Sequence, residues 1–131
     1  MEPIVRHLIA CEDIQHGSTP ERFTLVQVIT RIRSLDPVPF PLHYREICFI
    51  AICTACRGQG QVQLRIVEEE EPDEPIYTSP VWPVTFGNDP LQVVGFPFRI
   101  RNLTFPRSGM YRAQLWYNGK CLAEEPLRLS E

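Results

Sequence analysis

Apolar and polar residues alternate along most of this chain with a period of two, and helical spacing is hard to find. Such alternation sends successive side chains to opposite faces of a strand. "IVRHLIACEDI" (4–14) is a first expected strand. "RFTLVQVITRIRS" (22–34) reads as one long second strand, with Val26, Val28, Thr30 and Ile32 facing one way and Gln27, Arg31 and Arg33 the other. "PVPFPLHYRE" (37–46) carries three prolines in five residues and reads as an extended connection. "ICFIAIC" (47–53) is apolar on both faces, as expected of a central strand covered on both sides.

"GQVQLRIVEEEE" (60–71) gives a half-buried strand through Val62, Leu64 and Ile66, and "EEEEPDEP" (68–75) gives an acidic hairpin tip. "IYTSPVWPVTF" (76–86) suits a short edge segment interrupted by Pro80 and Pro83. "LQVVGFPFRIRNLTF" (91–105) puts Phe96, Phe98 and Ile100 on one face and Arg99 and Arg101 on the other. After the turn "PRSG", residues Tyr111, Ala113, Leu115 and Tyr117 share a face. Asn118-Gly119 is the pair preferred in a type I′ hairpin, because both central residues need positive φ. The return strand holds Leu127 and Leu129, and Pro126 places its own position at an edge or a bulge. The pattern predicts an all-β fold: an antiparallel β-sandwich of the Ig-like or C2-like kind, with about seven to nine strands and little or no helix.

Composition changes this picture little. The 131 residues suit one domain spanning 1–131, and no repeat or linker divides them. The net charge of −3 argues against a nucleic-acid partner, and no apolar run is long enough for a membrane helix. The N-terminal stretch has no basic region and only a short apolar run before Glu12 and Asp13, so no secretory signal is expected. Five cysteines, an odd number, suit the reducing cytoplasm better than a disulfide framework.

The long early strand "FTLVQVITRI", the link with Phe40-Pro41, the unit ending in "VQLRIVEEE" and the tail "NLTFPRSGMYRAQLWYNGKCLAEEPLRL" together carry a resemblance. The chain resembles a family of small uncharacterised bacterial β-sandwich proteins, a domain of unknown function, from about Ile4 to Leu129. The resemblance implies the fold and a bacterial origin. It brings no activity and no catalytic residues.

Candidate chemistry is sparse. "CTACRGQG" (53–60) has the C-x-x-C-x-G-x-G spacing of a zinc knuckle. Zinc needs four ligands, and Cys53 and Cys56 supply two, so the site would need Cys or His brought in by the fold or a second subunit. A redox role would need a helix N-terminus after the first cysteine, whereas strands flank the motif. The expected reading is a glycine-bearing turn between two strands. Six carboxylates between Glu68 and Glu74 offer a calcium alternative, although calcium loops draw ligands from more than one segment. Arg31, Arg33, Arg65, Arg99 and Arg101 would make a basic patch if their strands were neighbours. His7, His16 and His43 are isolated, and no nucleophile-elbow or phosphate-loop motif is present. Leu25, Ile29 and Trp116 fall on faces nominally turned to solvent, which points either to cover by the chain itself or to a partner surface.

The function expected from these residues is that of a non-enzymatic protein-interaction or accessory module, needing no cofactor. Its partner is another protein or, in a homodimer, a second copy. The alternative is a metal-binding protein, with zinc at Cys53 and Cys56 or calcium at the acidic tip.

Overall fold

The computed structural model describes residues 2–89 and 91–131. Among the described residues ten strands form two sheets and no helix occurs. In chain order they are β1 (Ile4–His16), β2 (Phe23–Val28), β3 (Arg31–Arg33), β4 (Leu42–Thr54), β5 (Gln59–Glu68), β6 (Tyr77–Thr78), β7 (Trp82–Thr85), β8 (Val94–Phe105), β9 (Gly109–Tyr117) and β10 (Lys120–Ser130). The first sheet has the order β2-β1-β4-β8. The second has the order β3-β10-β9-β5-β6, with β7 also paired to β5. The all-β expectation holds, with ten strands rather than seven to nine.

The core lies between the sheets. Leu8 and Ala10 of β1, Ile47, Phe49, Ala51 and Cys53 of β4, and Phe98 and Ile100 of β8 point into it from one side. Val62, Leu64 and Ile66 of β5, Tyr111 through Tyr117 in alternation on β9, and Leu127 and Leu129 of β10 meet them from the other. The alternation on β8 slips at Asn102, whose φ of 57° lets Leu103 and Phe105 join Phe98 and Ile100 on the inner face. Below that point the hydroxyl of Tyr111 donates to the Arg107 carbonyl at 2.6 Å, a tyrosine-corner bond that ties the start of β9 to the preceding turn.

The chain departs from the expected layout at "RFTLVQVITRIRS". It is two strands, in different sheets: β2 pairs antiparallel with β1, and β3 pairs parallel with β10. The alternation of residue types runs on through this stretch; Gln27 takes a φ of 55° inside β2, and the strand ends one residue later, at Val28. Ile29 then donates to the Ala10 carbonyl in the first sheet, and the Thr30 carbonyl accepts from Arg128 in the second, so the crossing falls between these two residues. Val28, expected on the same face as Ile32, is exposed. The β3–β10 pair also makes the sandwich not wholly antiparallel.

"CTACRGQG" closes the β4–β5 hairpin. Ala55 and Gly58 take positive φ, at 57° and 70°. Gly60 is needed for space: a Cβ there would sit 2.1 Å from the Tyr117 hydroxyl oxygen and 2.2 Å from its ring. Asn118 and Gly119 form the expected hairpin turn with φ of 49° and 78°. The Asn118 amide donates to the Gln61 carbonyl, and its side-chain oxygen accepts from the Gln61 amide, which fixes the turn against β5. Pro126 sits on β10 just before the three residues that pair with β3, where the missing N–H removes no β3 bond.

Gly60→Ala should push the buried Tyr117 ring out of place and cost about 2 kcal/mol, within the range of overpacked cores. Gly58→Ala meets open space and pays only for its backbone conformation, about 1 kcal/mol. Urea unfolding of the two variants checks this order.

Candidate functional site

β4 is apolar on its outer face as well as its inner one. Cys48 and Ile50 point away from the core, yet their exposures are 0% and 1%. What covers them is the β1–β2 hairpin. The ladder between β1 and β4 ends at the pair Cys11–Cys48, while β4 continues to pair with β8 as far as Leu42. Past Cys11, β1 pairs only with β2. The hairpin so released lies across the outer face of β4 and reaches β8.

Three contacts establish this position. The Arg99 guanidinium on β8 pairs with Asp13 at 2.8 Å and donates to the Ile14 carbonyl at 3.3 Å. The Phe23 ring rests on Gly95 so closely that a Cβ would lie 2.8 Å from its Cε2. Cys48 Sγ donates to the Glu12 carbonyl at 3.8 Å. Beneath the hairpin Cys11, Ile14, Cys48 and Ile50 form a second apolar cluster, with Ile9, Phe23, Leu25 and Ile52 packed around it.

Burial dominates this attachment. Ile14 and Ile50 each contribute about 1.5–3 kcal/mol by leaving water. Arg99 also pairs with Glu46, but its side chain and that of Asp13 are 39% and 41% exposed. Such surface pairs are worth about 1 kcal/mol or less. The pairing lowers the Asp13 pKa, chiefly through the hydrogen bond from Arg99.

Where the hairpin tip meets the start of β8, it leaves a groove of about 620 Å³. Phe23, Ile52, Val93 and Val94 make it largely apolar, with Glu21 and Gln92 at its sides. Gln92 Oε1 is buried and has no hydrogen-bond partner among the described residues. Beside the groove, Leu91 and Val93 are 85% and 60% exposed and extend its apolar surface. Nothing in the alternation of "LQVVGF" announces this groove. It exists because Phe23 lies over Gly95.

The residues singled out from the sequence fall in several places. Leu25 packs under the hairpin and Ile29 against the main core, both half-buried. Trp116 stands on β9 in the other sheet, with the Arg65 guanidinium 4.0 Å from its ring centroid and its indole N–H bonded to Gln114. The three therefore do not share a face. The five arginines are likewise dispersed: Arg31 and Arg33 on β3, Arg65 on β5, Arg99 and Arg101 on β8. Arg107 binds Glu68 and Glu71 at the acidic tip, and Arg112 binds Glu69 and Glu124. His16 lies tilted against Phe23 with ring centroids 5.2 Å apart, and His43 bonds to Thr104, the two standing on β1 and β4.

Cys53 and Cys56 are close enough to feel each other's charge, and both are fully buried. Burial pushes the Cys53 thiol up to about 12 and raises Cys56 as well, the opposite of what a metal-ligating or redox thiol needs. No group of three or more metal-ligating side chains gathers anywhere among the described residues. No helix is long and apolar enough to cross a membrane.

The thiols should show this burial directly. At pH 8 a thiol titrating near 12 is thiolate in only about one molecule in ten thousand. In the native protein Cys53 should resist iodoacetamide far longer than the partly exposed Cys121, and the difference should vanish in urea. Site-resolved mass spectrometry reads both rates.

Comparison with known proteins adds one finding. A family of unknown function, DUF6941, matches the chain over residues 7–130. No curated protein matches it.

Proposed function

We propose that this chain, which belongs to the DUF6941 family of unknown function, is a non-enzymatic protein-interaction module. Its docking site is the groove between the β1–β2 hairpin tip and the start of β8. The observation that carries the reading is the apolar groove of about 620 Å³ with exposed Leu91 and Val93 at its side. Apolar clefts with a few placed polar groups are the usual form of a binding site. The partner fitting it is a protein segment that inserts an apolar side chain between Phe23 and Val94. A backbone or side-chain N–H of that segment satisfies Gln92 Oε1.

A binding role rather than a catalytic one is supported by the groove's chemistry. Glu21 is its one ionisable side chain among the described residues, so it offers no acid–base pair. Glu68, Glu69 and Glu71 of the acidic tip pair with Arg107 and Arg112, and Trp116 is covered by Arg65. The cysteines, none of them bonded in a disulfide, support a cytoplasmic setting.

A photo-crosslinking residue at position 93 should capture one discrete protein in cells, and one at Met110, on the far sheet, should not. Gly95→Leu, which displaces Phe23 and fills the groove, should abolish that capture. Equal capture from both positions, or capture that survives Gly95→Leu in a folded protein, contradicts the assignment. A captured second copy of the chain would identify the partner as self.

A further inference from the structure

Cys11 and Cys48 face each other across β1 and β4, as the last register pair of that ladder. Directly opposed residues in an antiparallel ladder have Cα atoms about 4.5 or 5.5 Å apart. A disulfide spans Cα separations of about 4.4–6.8 Å. Both side chains point to the outer face and lie in the same small cluster, on a register pair whose usual Cα spacing a disulfide can span. Both thiols are free and fully buried.

Their place in the fold differs from that of Cys53 and Cys56, which lie in the main core between the two sheets. Cys11 and Cys48 are separated from solvent by the hairpin. The hairpin is held by a small apolar cluster and by half-exposed ion pairs from Arg99. Elements with few buried contacts open locally at lower cost than a core does. The pair also marks the point where β1 leaves β4, so it sits at the root of the hairpin.

We propose that Cys11 and Cys48 are a redox-active dithiol, gated by the β1–β2 hairpin, that closes to a cross-strand disulfide in the presence of hydrogen peroxide. One sulfur, as thiolate, attacks a peroxide oxygen. The O–O bond breaks, hydroxide leaves and takes up a proton as water, and a sulfenic acid forms. The second thiolate attacks that sulfur, the S–O bond breaks, and hydroxide again leaves as water. Two thiols lose two electrons and two protons, and one peroxide becomes two waters.

Under the closed hairpin, burial and the neighbouring Cys48 hold the Cys11 thiol up at about 11, and burial raises Cys48 too. The titratable groups facing the pair are Asp13 and Glu46, which also raise one or both thiols, and Arg99, which lowers both. The closed state therefore protects the dithiol, and lifting the hairpin exposes it to water and oxidant. Once formed, the disulfide fastens the root of the hairpin to β4.

The test uses the full reduced chain, treated with hydrogen peroxide at neutral pH, then alkylated and digested without reductant. The expected product is one crosslink joining the Cys11 and Cys48 peptides, with a loss of about two mass units that dithiothreitol reverses. Its formation should be ~10-fold faster in urea below the unfolding transition, because local opening limits the step. Cys11→Ser and Cys48→Ser should each abolish the product, and the wild-type peptide map decides the matter even if either variant fails to fold. Crosslinking of Cys53 to Cys56 alone, sulfinic or sulfonic acid at single cysteines, or no oxidation would overturn the proposal. So would a rate unaffected by urea.

Discussion

A strand that is apolar on both faces must be covered on both faces, and β4 imposes that requirement on the whole molecule. Its inner side chains, Ile47, Phe49, Ala51 and Cys53, meet the second sheet across the main core. Its outer ones, Cys48, Ile50 and Ile52, have no sheet to meet, and the chain answers by laying the β1–β2 hairpin over them. The end of the β1–β4 ladder at Cys11, the reach of Arg99 to Asp13 and the bare backbone at Gly95 all follow from that second layer.

The same arrangement creates the two chemical features of the molecule. Where the hairpin tip does not fully seal against β8, the apolar groove remains, with Ile52 in its lining. Where the hairpin springs from the sheet, two cysteines are left face to face. Binding at the tip and oxidation at the root would act on one element, and both depend on how often it lifts. Its contacts are few beside those of the core between the sheets, which places it at the low-stability end of the structure.

Much of the fold was legible in the sequence because it rests on local rules. Period-two alternation located β5, β8 and β9, and Asn118-Gly119 marked its hairpin. The doubly apolar "ICFIAIC" correctly announced a strand covered on both sides, but not by what. Alternation failed at "RFTLVQVITRIRS" because a change of sheet between Ile29 and Thr30 leaves the order of residue types intact. The glycines of "CTACRGQG" pointed to a turn, and that turn is present. The reason for Gly60, however, is the ring of Tyr117, which only the fold brings near. The groove was not legible for the same reason, since Phe23 and Gly95 meet only after β1 has bent away from β4. Leu25 and Ile29 looked like outward apolar residues because the alternation carries no sign of what covers them, the second cluster under the hairpin for Leu25 and the main core for Ile29.

The account stands on the hairpin lying over β4 in solution, and the most direct measurement of that is a proton–proton contact. Nuclear Overhauser spectra should show the Phe23 ring protons close to the Gly95 α-protons, with the Gly95 resonances shifted by the ring and the Ile50 side chain protected from solvent. Absence of the Phe23–Gly95 contact, with Ile50 accessible to a soluble paramagnetic probe, would mean that the outer face of β4 is bare. The hairpin layer, the groove and the gate over Cys11 and Cys48 would then fall together.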